Sequence, residues 1–216
     1  MTPYYETELG KLYHGDCLEI MPELEPVDLV LTDPPYGIGV NTKWKIRKPG
    51  QWAKDSMPIK GDNKPFNPKP FLFKNTILWG GNHYASRLPD SPDWLCWDKR
   101  RQGSITRGWN APDFELAWSN IKCGARYFQY LWEGYKRDGE IGKHFHPTQK
   151  PIRLMEWCIE LSKTSGIICD PFLGSGTTAI ACERLKRKWI GIEIEEKYCE
   201  IAAKRIEQER KQLKLF

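Results

Sequence analysis

Two groups of residues in this 216-residue chain combine reactive side chains with stiff or open backbone. The first is Asp33-Pro34-Pro35-Tyr36, which directly follows the β-rich run Val27–Thr32. Proline has no amide hydrogen to give to a sheet, and the residue before it is driven to an extended conformation, so the strand must stop there. A carboxylate is thereby delivered to the edge of a sheet on a rigid corner, with an aromatic ring just beyond it. The second is Asp170-Pro171-Phe172-Leu173-Gly174-Ser175-Gly176-Thr177, set between a predicted strand over 166–170 and a predicted helix over 175–186. Glycines at such a turn let the chain reverse tightly and let a ligand approach the main chain. Glu193 closes the next predicted strand, about 20 residues on, where an acid can accept both ribose hydroxyls of an adenosine. Turn, helix and acid together predict a nucleoside cofactor.

The remaining elements must position these two groups. Strands are predicted at Lys11–His14, Val27–Thr32, Thr76–Trp79, Trp94–Trp97, Phe114–Trp118 and Trp189–Glu193. Helices are predicted from Cys17 to Leu24, after Pro151 with Leu154, Trp157, Cys158 and Leu161 on one face, and from Glu195 onward. Residues 37–70 read as a long functional loop, and 119–146 as irregular, aromatic and basic. Strands alternating with helices predict an α/β fold with a largely parallel sheet covered on both faces. Gly174, Gly176 and Ala179 also fit the G-x-G-x-x-A pattern of a dinucleotide site. Only one more strand follows that turn, however, so the rest of the sheet must come from upstream. A nicotinamide reading also leaves Asp33–Tyr36 without a task.

Composition narrows the class. The length fits one domain, 1–216, with a substantial core. No run approaches the roughly 20 apolar residues of a membrane helix, and the N-terminus lacks the basic-then-apolar pattern of a secretory signal. Seven dispersed cysteines without a Cys-x-x-Cys pair predict reduced thiols in a cytosolic compartment. His144 and His146 have no Asp, Glu or Cys at ligand spacing, so no metal is assigned. The net charge is only +5, but 37–69 carries eight basic residues against two acidic ones. Such a run is either a solvated loop or a grip for phosphates.

The pairing of Asp33-Pro34-Pro35-Tyr36 with the later Asp170–Gly176 segment resembles the amino-group DNA methyltransferases, which act on adenine N6 or cytosine N4. With the catalytic tetrapeptide first and the cofactor loop last, the order resembles the circularly permuted β group of that family. Gly15-Asp16, His146-Pro147-Thr148-Gln149-Lys150-Pro151 and Gly191-Ile192-Glu193 extend the resemblance over nearly the whole chain. It implies a permuted Rossmann-like fold and S-adenosylmethionine as cofactor. It also implies a cofactor site built from Asp16, Cys17, Asp170, Phe172, Gly174, Ser175, Gly176, Thr177 and Glu193, with Thr148, Lys150 and Pro151 near the methionine end. Asp16 would meet the adenine and Glu193 the ribose.

The chemistry suits these residues. The amino nitrogen of adenine is a poor nucleophile because its lone pair is delocalised into the ring. Asp33 and the Pro34 carbonyl are the candidate acceptors for its two N–H groups, held on the Pro34-Pro35 corner. Tyr36 would stack on a base flipped out of the duplex. The step is then a direct displacement, helped by orientation and electrostatics. Methylation at cytosine carbon-5 uses a cysteine after a proline, and no cysteine here follows one. Adenine N6 is favoured over cytosine N4 because the tetrapeptide begins with Asp. An RNA adenine methyltransferase, a binding protein without turnover and a dinucleotide oxidoreductase are the rival readings.

Double-stranded DNA is the expected partner. Lys43, Trp44, Lys45, Arg47 and Lys48 lie just after Tyr36 and mix cations for phosphates with an aromatic face for bases. Lys99, Arg100, Arg101 and Arg107 are further candidates for phosphate contacts. Residues 119–143 form a short candidate target-recognition insert, in which at least two of Tyr127, Phe128, Tyr130 and Trp132 are expected in the core. A homodimer and a cognate restriction enzyme are partners the family admits. The expected location is the cytoplasm of a bacterial or phage-infected bacterial cell, with no membrane contact.

Overall fold

The computed structural model describes residues 1–39, 59–104, 112–133, 136–139 and 149–213. The N-terminal segment forms β1 (Tyr5–Glu6), β2 (Gly10–His14), the short helix α1 (Cys17–Ile20) and β3 (Leu29–Thr32). The helix expected to reach Leu24 stops at Ile20. Pro22 has no amide hydrogen to donate, and Met21–Glu23 tighten into a 3-10 turn instead.

The middle of the chain contributes β4 (Thr76–Trp79), β5 (Asp93–Asp98), β6 (Phe114–Ser119) and β7 (Arg126–Gln129). A separate two-stranded hairpin pairs β8 (Trp132–Glu133) with β9 (Lys136–Arg137). The C-terminal third follows as α2 (Ile152–Ser162), β10 (Ile168–Asp170), α3 (Thr177–Arg184), β11 (Trp189–Glu193) and α4 (Glu196–Leu213). Thus 119–146, expected as irregular, contains strand β7. It lies beside β5 at the sheet's edge, and the rings of Phe128 and Trp157 stack at 5.0 Å across to α2.

Nine strands form one sheet in the order β1-β2-β11-β10-β3-β4-β6-β5-β7. The block β2-β11-β10-β3-β4 is parallel throughout, so the carboxyl ends of all five strands lie along one edge. Strand β6 runs antiparallel between β4 and β5. The two strands nearest the C-terminus therefore occupy the middle of the sheet, flanked by strands from the N-terminal region.

The alternation of side chains explains why both faces must be covered. Leu29, Leu31, Ile77, Trp79 and Ile168 point to the core made with α2, α3 and α4. Val30, Leu78, Cys169, Ile190 and Ile192 point to a second core with Cys17, Ile20, Phe66, Phe71 and Tyr84. A strand buried on both faces cannot slip by one residue without moving every side chain to the wrong core.

Candidate active site

The parallel block divides between β10 and β3. From β10 the chain continues to β11 on one side, and from β3 to β4 on the other. In an open α/β sheet the crevice for a ligand opens at such a point, outside the carboxyl ends of the strands. Two aspartates stand there, Asp170 at the end of β10 and Asp33 just past β3.

Asp170 is 5% exposed and acts as a brace. Its Oδ1 accepts from the Thr32 hydroxyl at 2.5 Å and the Phe172 amide at 3.0 Å, and its Oδ2 accepts from the Thr178 hydroxyl at 2.6 Å. Burial pushes its carboxyl up to about 6, against those hydrogen bonds. The turn that follows is left-handed at Gly174 and Gly176, with φ of 55° and 88°. Helix α3 starts only at Thr177, because a left-handed residue cannot continue a right-handed helix.

Glu193 faces this turn from the end of β11. Its Oε2 accepts from the Gly174 amide at 2.8 Å and its Oε1 from the Glu195 amide at 2.9 Å. Each oxygen keeps a lone pair for a further donor. Burial raises its pKa above the ordinary glutamate value. Asp16 caps α1 by accepting from the Leu18 amide at 2.9 Å, and the Gly15 amide donates to the Glu193 carbonyl at 3.0 Å. These contacts gather the ends of β2, β11 and β10 around one cleft of about 350 Å³. Asp16, Cys17, Phe172, Gly174 and Glu193 line it, and so do Asp33, Pro34, Pro35 and Tyr36. The cofactor loop and the catalytic corner expected from the sequence therefore share one cavity. The Cys17 thiol is pushed up to about 12 by burial and by Asp16, so it stays neutral.

Five other expected cofactor residues lie behind the wall. Asp170 braces the turn as described. The Ser175 carbonyl and hydroxyl both accept from Arg205 of α4, at 2.5 and 2.9 Å. Gly176 and Thr177 form the helix start, with Thr177 buried. Pro151 is the residue before α2. Thr148 lies outside the described residues.

Lys150 stands directly behind the cleft wall and reaches the Asp33–Tyr36 corner, with its Nζ 2.5 Å from Asp33 Oδ2 and 3.3 Å from the Tyr36 hydroxyl. Its reason is electrostatic, since an ammonium only 6% exposed needs counter-charges. It finds two, Asp33 and the Oε2 of Glu115 at 3.2 Å. Burial disfavours its charge, but Asp33 and Glu115 together hold its pKa above the ordinary lysine value. Burial also raises Asp33 above the ordinary aspartate value, against the pull of Lys150. Glu115 is only half-buried, and Lys150 and Lys99 hold it down at about 2, against the effect of burial.

The Tyr36 hydroxyl donates to Asp33 Oδ1 at 2.5 Å. Its ring stacks on His83 at 4.9 Å with 16° between planes. Room for the ring depends on Gly80, where a Cβ would lie 2.1 Å from a Tyr36 carbon. Just beyond, the Gly37 amide donates to Asp62 Oδ1 at 2.8 Å, which pins the chain leaving the corner.

The cations expected at DNA divide. Lys99 is corrected: it is 6% exposed and its ammonium sits 2.6 Å from Glu115 Oε1, inside the site. Arg100 is held by Asp98, with Nε and Nη2 each 3.0 Å from a carboxylate oxygen, and its guanidinium lies 4.5 Å over Phe114. Arg101 is exposed. Lys43, Trp44, Lys45, Arg47, Lys48 and Arg107 lie outside the described residues, as do His144 and His146.

Glu115, His83 and Asp62 were missed from the sequence. Glu115 had one signal, a single acid inside an otherwise apolar strand. A charge at such a position needs a partner, and the partner identifies the site.

Comparison with known proteins places the chain in a family. A family model described as DNA methylase matches residues 71–204, more than half of the chain. The chain is 28% identical to the type II methyltransferase M2.LlaDCHI of Lactococcus lactis subsp. cremoris, over 94% of this chain and 91% of that protein. It is 29% identical to the type II methyltransferase M.ScaI of Streptomyces caespitosus, over 98% and 86%. Among solved structures, the PvuII DNA methyltransferase (cytosine-N4-specific) has a TM-score of 0.63 at 19% identity, over 93% of this chain and 87% of that one. The M1.HpyAVI-SAM complex has a TM-score of 0.55 at 24% identity, over 91% and 100%. These two share the α/β fold. The chain belongs to the DNA methylase family, and its activity is that of a DNA methyltransferase acting on the exocyclic amino group of a base.

Proposed function

We propose that the protein transfers the methyl group of S-adenosylmethionine to adenine N6 in double-stranded DNA. The observation that carries the reading is the shared cleft, in which the Asp33 carboxylate and the Glu193–Gly174 pair stand on walls of one cavity. Its volume of about 350 Å³ falls in the range of small-molecule sites. The residues fit the cofactor. A left-handed Gly174 exposes main chain, Phe172 and Tyr198 offer apolar faces, and Glu193 keeps free lone pairs for ribose hydroxyls. M1.HpyAVI, a relative in fold, is known as a complex with this cofactor. When bound, S-adenosylmethionine supplies a methyl group on a sulfonium, ready for an in-line displacement.

The chain's own residues then do the rest. Asp33 accepts one amino N–H of the flipped base and the Pro34 carbonyl accepts the other. This turns the nitrogen lone pair out of conjugation and toward the methyl group. Asp33 accepts most strongly when ionised, and Lys150 supports that state. Tyr36 supplies an aromatic face, which the base shares or takes from His83. The stiffness of Pro34-Pro35 lowers the cost of holding these acceptors in place. Basic side chains, with the sequence run Lys43, Lys45, Arg47 and Lys48 as the leading candidates, provide the phosphate contacts.

Cytosine N4 is the second reading, because the PvuII enzyme of the same fold is cytosine-N4-specific and the same acceptors suit either amino group. The deciding experiment supplies methyl-labelled S-adenosylmethionine with unmodified DNA, in parallel with RNA, and identifies the labelled nucleoside after digestion. N6-methyladenine from DNA is expected. N4-methylcytosine keeps the mechanism and changes the base pocket, and label in RNA alone overturns the substrate class.

A further inference from the structure

From the cleft wall inward four charges alternate in sign: Asp33, Lys150, Glu115 and Lys99. The Lys150 ammonium is shared, 2.5 Å from Asp33 Oδ2 and 3.2 Å from Glu115 Oε2. Glu115 in turn divides its carboxylate, with Oε1 2.6 Å from Lys99. The side chains of Lys150 and Lys99 are 6% and 8% exposed, so solvent screens this set weakly.

Asp33 has two competing needs. Without a counter-charge a carboxylate in this position takes up a proton and becomes a weaker acceptor. With an ammonium entirely its own, its negative charge is spent on that partner and it accepts weakly from an amino group. A shared ammonium lies between these extremes. We infer that Glu115 is a positioning residue for methyl transfer: by dividing the Lys150 ammonium with Asp33, it sets the direction and the acceptor strength of the Asp33 carboxylate. Glu115 touches neither the cleft nor, in this reading, the base. The inference rests on Asp33 as the acceptor of the target amino group.

The groups acting on Asp33 are Tyr36, Lys150, Glu115, Tyr84 and Asp170, and those acting on Glu115 include Lys150 and Lys99. Removing the Glu115 charge deletes a repulsion that raises Asp33 and returns Lys150 wholly to it. Both changes lower the Asp33 pKa. Glu115→Gln should therefore move the acid limb of the kcat profile to lower pH. The plateau should fall by roughly ten- to a hundredfold, with the KM for DNA and the cofactor Kd within about twofold of wild type. Glu115→Asp, which restores the charge, should recover part of the plateau and return the limb toward its original place.

The experiment measures kcat against pH, KM, cofactor Kd and melting temperature for both variants, with Asp33→Asn alongside. A wild-type plateau and limb in Glu115→Gln overturns the inference. So does a lowered plateau with an unmoved limb and an equal loss in both Glu115 variants, which marks a merely structural role. If Asp33→Asn is inactive while Glu115→Gln is normal, only this inference fails. If Asp33→Asn turns over normally, the reading of Asp33 fails and takes the inference with it.

Discussion

Asp33 and Glu193 stand on different strands and answer to different demands, so their removal should separate cleanly. In the proposed mechanism, of the two substrates Asp33 meets only the base, through its reacting amino group, whereas Glu193 meets only the cofactor. Asp33→Ala should lower kcat by at least roughly a hundredfold while cofactor binding by calorimetry stays close to wild type. Glu193→Ala should instead raise the cofactor Kd, and it also leaves the Gly174 amide without its acceptor. A near-normal kcat in Asp33→Ala would remove the mechanism even though the family assignment stands. Tyr36 depends on its neighbour more than on itself. Gly80 has φ 72° and no room for a Cβ, so Gly80→Ala must shift the Tyr36 ring. A fall in kcat with unchanged cofactor Kd is expected, measured on the same labelled-methyl assay.

The turn between β10 and α3 is the element on which both halves of the cleft hang. Asp170 ties it to β3 through Thr32, to its own backbone through Phe172 and to α3 through Thr178. Its carboxyl rises from 3.8 to about 6, chiefly by burial. A raised acid binds its proton in the folded state over a range where the unfolded chain has released it. Stability should therefore decline as pH rises from 3.8 toward about 6, by no more than about 3 kcal/mol. Asp170→Asn should abolish that slope. Its amide can still accept from Thr32 and Phe172, and its NH₂ can donate to a rotated Thr178 hydroxyl. Chemical denaturation at several pH values would test this, and an unchanged slope would place the pH dependence elsewhere.

At the scale of the whole molecule, catalysis needs a duplex held across the edge where the strand ends meet. Lys99 and Arg100 are committed to Glu115 and Asp98, which shifts the task of phosphate contact to other side chains. The run Lys43, Lys45, Arg47 and Lys48 follows the Asp33–Tyr36 corner closely in the chain. Replacing all four with Gln should weaken DNA binding and flatten its salt dependence. The slope of log K against log salt should shrink by up to roughly four units if each cation meets one phosphate. Fluorescence anisotropy at several salt concentrations measures it, and an unchanged slope would take this run out of the interface.

The sequence by itself determined the Asp33–Tyr36 corner, the glycine turn and the place of Glu193 at a strand end, because each is announced by its immediate neighbours. Prolines end a strand, glycines open a turn, and an acid closes the next strand, all within short reach along the chain. The same local signals marked most strands and helices. Small errors fell where one residue overrode a pattern, as Pro22 ended α1 and Gly176 delayed α3. Only the tertiary structure decided what stands behind Asp33. Lys150 is 117 residues away in sequence, and Glu115 and Lys99 come from two further segments. Their signal is the cost of burying a charge without a partner, and that cost is incurred only once the sheet brings distant strands together.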